Sequence, residues 1–283
     1  MRMLLLTATA LVAFAANSWL CRAALRSGSI DAASFTVVRL ASGAAVLWLL
    51  AHGRAAPAAP GARRSGSPLA AAALYVYAIA FSFAYLALDA GTGALILFPS
   101  VQLTMLAGAI GAGHRVGWSE GLGVAVALAG LVVLGAPGAT APAPLAAAGM
   151  TLAGVAWGVY SLRGRGVATP LLATADNFRR TLPAVVATLA VAAPLGALAA
   201  SPRGALLAAV SGGLTSGVGY AIWYAALPGL SPLVAGLAQL AVPVLAAAGG
   251  IVLLGERLTP RLVAAGALVL AGLALALAGR RGR

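Results

Sequence analysis

Signals in this chain come in pairs, separated by about half its length. Trp19, Arg22 and Arg39 recur as Tyr160, Arg163 and Arg180, each 141 positions later. The run Leu128-Ala129-Gly130-Leu131 returns unchanged as Leu270-Ala271-Gly272-Leu273. A helix that crosses a bilayer needs about 20 mostly apolar residues. Such stretches are predicted near 3–21, 34–52, 69–88, 92–112, 119–135, 144–162, 170–193, 204–226, 232–254 and 261–279. Each half then holds an odd number of spans, so the second copy must run opposite to the first. The expected fold is an all-α integral membrane protein with ten transmembrane helices as two inverted five-helix repeats, 1–138 and 139–283.

Composition agrees with a lipid solvent. Of 283 residues, 62% are apolar and 8% charged, against about 25% charged in soluble domains. The net charge is +13, and all 18 basic residues are arginine. They are scattered over short connections rather than gathered on one face, which argues against nucleic acid as a partner. With the N-terminus inside, cytoplasmic segments carry Arg2, Arg54, Arg63, Arg64, Arg115, Arg163, Arg165, Arg280, Arg281 and Arg283. Outer connections carry Arg22, Arg26, Arg203, Arg257 and Arg261. This excess predicts that both termini are cytoplasmic. The uncharged loop Gly135–Ala143 falls outside and the basic loop Gly53–Ser67 inside. After the first apolar stretch come Asn17, Trp19 and Arg22 rather than a small-residue cleavage pattern, so it is expected to be retained as a span. The Ala, Gly and Arg richness suggests a bacterial protein of the cytoplasmic (inner) membrane.

Prolines punctuate the spans. Pro68, Pro144, Pro170, Pro202, Pro232 and Pro260 stand at or just before a start, where a missing N–H costs no helical bond. Thr259-Pro260 is the clearest, a capping hydroxyl followed by a first-turn proline. Spans 5 and 10 are rich in glycine, including Gly121, Gly123, Gly130, Gly266 and Gly272. Small residues let helices approach closely in lipid, so these two are expected to be scaffold or dimer contacts. A monomer and a homodimer both fit.

The second half ends on a phrase: Pro243, then Gly255-Glu256-Arg257-Leu258, then a glycine-rich last span. This resembles the EamA-type repeat of the drug/metabolite transporter superfamily. The resemblance implies ten helices in two inverted halves and movement of metabolites such as amino acids, often outward. In the first half, Gly113-His114-Arg115-Val116 stands where Gly-Glu-Arg-Leu is expected.

Polar and aromatic side chains at membrane depth are the candidate substrate contacts, because lipid tolerates them poorly. Gln102 and Gln239 each offer two donors and an acceptor. They fit two roles equally, a substrate grip and an interhelical hydrogen bond. Tyr220, Trp223 and Tyr224 share one helical face and suit either a cavity wall or a headgroup belt. Tyr85, Trp157, Asn17 and Trp19 complete the candidate set, with Asn17 and Trp19 equivalent by repeat to Gly158 and Tyr160. Trp48 and Trp118 are placed in the belt, and Trp157 and Tyr160 close to the inner surface. Pro99 and Pro243 interrupt apolar runs and fit either hinges or fixed kinks. Arg39 and Arg180 are expected near the interface, snorkelling to water. Asp176 lies three and four residues before Arg179 and Arg180, within ion-pair reach. His114 is expected to be solvated.

Lone Cys21 allows no intrachain disulfide and no thiolate zinc site. There are no paired carboxylates, no Cys/His constellation and no phosphate-cradling loop, so neither catalysis nor a metal or cofactor is expected. Inverted repeats enclose a central site that either side can reach. The expected function is secondary transport of a small-molecule substrate, neutral or zwitterionic, by alternating access and more in export than import. A channel-like or lipid-handling membrane protein is the alternative. Proton coupling, exchange and facilitated diffusion all fit.

Overall fold

The structure is a computed structural model that describes residues 2–52, 66–113, 116–136, 138, 141–165, 167–230, 235, 238–239 and 241–278. Its helices are α1 (Arg2–Arg26), α2 (Ala32–Ala51), α3 (Pro68–Ala84), α4 (Ala90–Gly111) and α5 (Trp118–Gly135). They continue with α6 (Pro144–Gly164), α7 (Pro170–Ala192), α8 (Pro202–Gly229), α9 (Ala241–Leu254) and α10 (Pro260–Ala278). Among the described residues there is no strand; Ile30 and Ala200 form an isolated antiparallel bridge. By length and composition, α1, α2, α4, α5, α6 and α8 are long and apolar enough to cross a membrane. α3, α9 and the Pro260–Gly272 part of α10 are apolar but shorter.

Helix starts follow the predicted punctuation. Pro68, Pro144, Pro170, Pro202 and Pro260 are each the first residue of a helix. Ser67, Ser201 and Thr259 accept from the N–H groups of Ala70, Gly204 and Leu262 at 3.1, 3.2 and 3.1 Å, which satisfies orphan first-turn donors. α1 runs past its expected end to Arg26, and the chain turns at Gly28 with φ 64°, a conformation that favours glycine. Pro232 and most of 231–240, where the ninth span was expected to begin, lie outside the described residues. So do 53–65 of the basic loop, His114, Arg115 and the terminal arginines Arg280, Arg281 and Arg283.

The packing has an internal symmetry. α2 packs on α7, α4 on α9 and α5 on α10, each five places apart. α1 on α8 is matched by α6 on α3, and α1 on α9 by α6 on α4. Exchanging each of α1–α5 with the helix five places later leaves these pairings unchanged. α5 and α10 meet through glycine: a Cβ on Gly130 would lie 2.9 Å from the Ala265 carbonyl, and one on Gly272 2.5 Å from that of Gly123. Backbones this close gain dispersion contacts that bulkier side chains would prevent. The scaffold role expected for these spans fits this mutual packing.

α8 is α-helical over Pro202–Val210 and Gly219–Ala226, widens into a π-helix over Ser211–Val218 between them, and ends in a 3-10 turn at Leu227–Gly229. The local sequence is Ser-Gly-Gly-Leu-Thr-Ser-Gly-Val. Its glycines let it lie against α2, where a Cβ on Gly43 would come 2.9 Å from the Gly212 carbonyl. The wider turn brings the hydroxyls of Ser211, Thr215 and Ser216 onto a single acceptor, Asn17 Oδ1, at 2.8, 2.6 and 3.1 Å. π-turns inside α-helices are rare and cluster at functional sites.

Candidate substrate site

The core where α1, α3, α6 and α8 meet is aromatic. Phe14 of α1 packs edge-on against Trp157 of α6 and against Tyr220 and Trp223 of α8, with ring centroids 5.1, 5.9 and 5.5 Å apart. Trp157 lies 4.5 Å from Tyr220 and 5.1 Å from Tyr77 of α3. Tyr160 stacks between Trp157 and Tyr224, at 5.3 and 4.9 Å. Beside this group is a small cavity bordered by Phe14, Ser18, Tyr77, Phe81, Tyr85 and Trp157. Its volume is about 10 Å³, room for roughly one water. The arrangement is closed.

Behind two walls of that cavity stands Arg39. Its guanidinium carbon lies 5.1 Å from the centroid of Tyr77 and 4.9 Å from that of Phe81. Nε donates to Ser216 Oγ at 2.9 Å, and one terminal nitrogen donates to the hydroxyls of Tyr220 and Tyr77 at 2.7 and 3.1 Å. Arg39 is only 1% exposed, so it does not snorkel to water, contrary to the interfacial placement expected from sequence. The reason is local: two tyrosine hydroxyls, a π-segment serine and two ring faces replace its hydration. Its repeat partner Arg180 is partly exposed and pairs with Asp176 at 2.8 Å. Arg179 joins the same carboxylate at 2.7 Å, the ion pairs that the spacing predicted. A buried charge is costly unless partners replace its hydration, so the polar cluster around Arg39 is a specialised feature.

The predicted contacts divide. Asn17, Trp157, Tyr220 and Trp223 converge on this core, with the Asn17 amide 3.4 Å from the Tyr220 hydroxyl. Tyr85 borders the cavity and donates to the Ala90 carbonyl at 3.3 Å. Trp157 and Tyr160 are buried among rings rather than in a headgroup belt, whereas Trp48 and Trp118 are exposed. Gln239 reaches the core through its Oε1, which accepts from Trp157 Nε1 at 2.9 Å; its amide donates to the Ala235 carbonyl at 3.1 Å. Gln102 is buried, and its Oε1 has no hydrogen-bond partner among the described residues. Trp19 points away to α9, donating to the Ala246 carbonyl at 3.0 Å. Pro99 lies inside α4. Pro243 lies near the described start of α9 at Ala241. Sequence reasoning missed Phe14, Tyr77 and Arg39. The first two were findable, since Trp157 and Tyr220 each follow their partner by 143 residues, close to the repeat offset.

At the end of α1 that carries Arg22, a polar pocket of about 430 Å³ opens beside Arg22, Arg26, Asp89, Glu256 and Arg257. Arg22 reaches Asp89 at 3.0 Å and Glu256 at 3.6 Å, and donates to the Tyr85 carbonyl at 3.1 Å. These contacts tie α1, the α3–α4 connection and the end of α9 together over the core. Burial raises the Glu256 carboxyl above the ordinary range, and nearby Asp89 adds to the rise. The Ala90 N–H and the charge of Arg22 pull it the other way.

The EamA-like transporter family matches residues 145–278. The uncharacterized protein PA1977 of Pseudomonas aeruginosa is 52% identical over 282 residues, all of this chain and 96% of that protein. A solved crystal structure superposes with a TM-score of 0.69 over 98% of each chain at 20% identity, a likeness of fold alone. Apolar helices of spanning length, arranged around a closed aromatic core, agree with the sequence match, and the chain is a multi-pass membrane protein that belongs to the EamA-like transporter family of the drug/metabolite transporter superfamily.

Proposed function

We propose that the chain is a secondary transporter that exports small organic metabolites with aromatic or apolar bodies, aromatic amino acids among them. It works by alternating access between two inverted five-helix halves, 1–138 and 139–283. The observation that carries this is the core where Phe14 meets Trp157 and Tyr77 meets Tyr220. Each pair joins one half to the other, so tilting one half against the other opens the core to one side or the other. The exchange symmetry of the helix pairings supports two related halves. A core closed to about 10 Å³ favours occlusion over a standing channel. The arginine distribution favours both termini in the cytoplasm, and the Pseudomonas relative favours a bacterial inner membrane.

The substrate site comprises Trp157, Tyr220, Trp223, Asn17 and Tyr85, with Gln239 behind Trp157; Gln102 and Trp19 are the remaining candidates for substrate contact. Pro99 and Pro243 serve as hinges. Purified protein in liposomes preloaded with unlabelled phenylalanine should drive saturable counterflow of radiolabelled phenylalanine or tryptophan. Trp157→Ala and Tyr220→Ala should each lower the rate severalfold. Uptake that rises linearly with substrate would instead support the channel-like alternative.

A further inference from the structure

The hydrogen bonding around Arg39 does not balance. A guanidinium carries five N–H groups. One goes to Ser216 and two to the tyrosine hydroxyls, while the second terminal nitrogen has no partner among the described residues. Tyr220 donates to Tyr77 at 3.2 Å. The Tyr77 hydroxyl therefore receives from two groups, and its own proton meets no acceptor among the described residues. Nor is there a counter-charge. The chain has five acidic side chains: Asp31 caps α2, Asp89 and Glu256 hold Arg22, Asp176 holds Arg179 and Arg180, and Glu120 caps α5. A buried cation with unused donors thus lies behind the cavity walls with no anion of its own.

We propose that Arg39 and Tyr77 form a binding site for the carboxylate of the substrate, whose aromatic or apolar body packs among Phe14, Trp157 and Tyr220. The assignment rests on reading this core as the transport site. Tyr77 is the link: its ring borders the cavity and lies under the guanidinium. Separating the four core helices to admit a ligand uncovers both the free Arg39 nitrogen and the Tyr77 proton. A carboxylate there accepts from both and neutralises a charge that is otherwise buried alone. Alpha-amino acids and simple aromatic monocarboxylates share this group. The core supplies no acidic side chain for an ammonium, so the carboxylate is the part the protein grips.

The test uses the full-length protein in detergent and in liposomes, with four probes: phenylacetate, phenylacetamide, phenylalanine and phenylalaninamide. At least one acid should protect the protein against thermal unfolding and be taken up saturably. Its amide should bind about tenfold more weakly or worse, as expected for loss of a charged hydrogen bond. Comparison of the two acids separates a monocarboxylate substrate from an amino acid. Arg39→Gln should abolish the acid-over-amide preference, and Tyr77→Phe should reduce it severalfold with the fold intact. If Arg39→Gln does not fold, Tyr77→Phe and the wild-type preference decide the matter. Equal binding of acids and amides, equal protection by sodium chloride, no binding by either acid, or an unchanged preference in Tyr77→Phe overturns the proposal. Saturable uptake of neutral amides alone overturns the carboxylate site and leaves transport standing. Acid-selective binding without saturable uptake has the opposite meaning.

Discussion

The hydroxyl of Tyr220 donates to that of Tyr77 at 3.2 Å, across 143 residues of sequence. Both accept from one terminal nitrogen of Arg39. Tyrosines of α3 and α8, 143 positions apart in the sequence, therefore touch, and the arginine between them comes from α2.

Asn17 joins α1 to the π-segment by a single oxygen that accepts from three hydroxyls. Asn17→Ala takes that acceptor from the buried Ser211 and Ser216 hydroxyls, while Thr215 keeps the Ser211 carbonyl at 3.0 Å, and should cost about 1–3 kcal/mol. Asn17→Asp keeps the acceptor and should lose less. Thermal unfolding of both variants in one detergent checks the order.

Two glycines of α6 make a matched pair. A Cβ at Gly154 would lie 2.5 Å from the Leu97 carbonyl and 2.6 Å from Ser100 Cβ, whereas the nearest neighbour at Gly149 is 3.7 Å away. Gly154→Ala should force α4 and α6 apart and destabilise by about 1–3 kcal/mol. Gly149→Ala should be neutral or slightly stabilising, since alanine favours helix. A midpoint that falls equally in both variants would contradict the close packing of α4 on α6.

The two glutamines should respond differently. Gln239 is fully engaged with Trp157 and Ala235, so Gln239→Leu should lower stability by about 0.6–2 kcal/mol, the range for interhelical bonds in membranes. Gln102 has an unsatisfied oxygen, so Gln102→Leu should be tolerated by the fold. Uptake measurements on Gln102→Leu then report its role at the site: lost transport with an unchanged midpoint marks a substrate contact, and full transport removes it.

Glu256 should make stability depend on pH. Burial raises its folded-state pKa, so the folded protein binds the proton more tightly than the unfolded chain does. That stabilisation is complete below the unfolded value of roughly 4.3 and fades as pH climbs through the raised folded value. Wild-type protein should therefore lose some thermal stability across that window. Glu256→Gln, which retains an acceptor for the Ala90 N–H, should show a flatter profile, read by unfolding midpoints from acid to neutral pH.

Much of the architecture is legible in short stretches of sequence. First-turn prolines marked where α3, α6, α7, α8 and α10 begin, and the Thr259 hydroxyl marked α10 as well, because such signals act within one turn. The Asp176 pairs with Arg179 and Arg180 were equally readable, being set by helical spacing. Apolar run length alone assigned the chain to lipid. None of these signals says which face of one helix meets which face of another. Arg39 looked interfacial because it stands near one end of its predicted span, where an arginine can reach water. Its acceptors, Tyr77, Ser216 and Tyr220, lie 38, 177 and 181 residues away. Only three-dimensional packing brings them together, and an arginine's place in a membrane depends on whether such partners replace water. The π-turn over Ser211–Val218 is of the same kind: glycines permit it, but Asn17 on another helix gathers its hydroxyls. Local chemistry determined where helices start and what solvent they need. Tertiary contact decided which polar groups could be buried, since the cost of burial is set by partners distant in the chain.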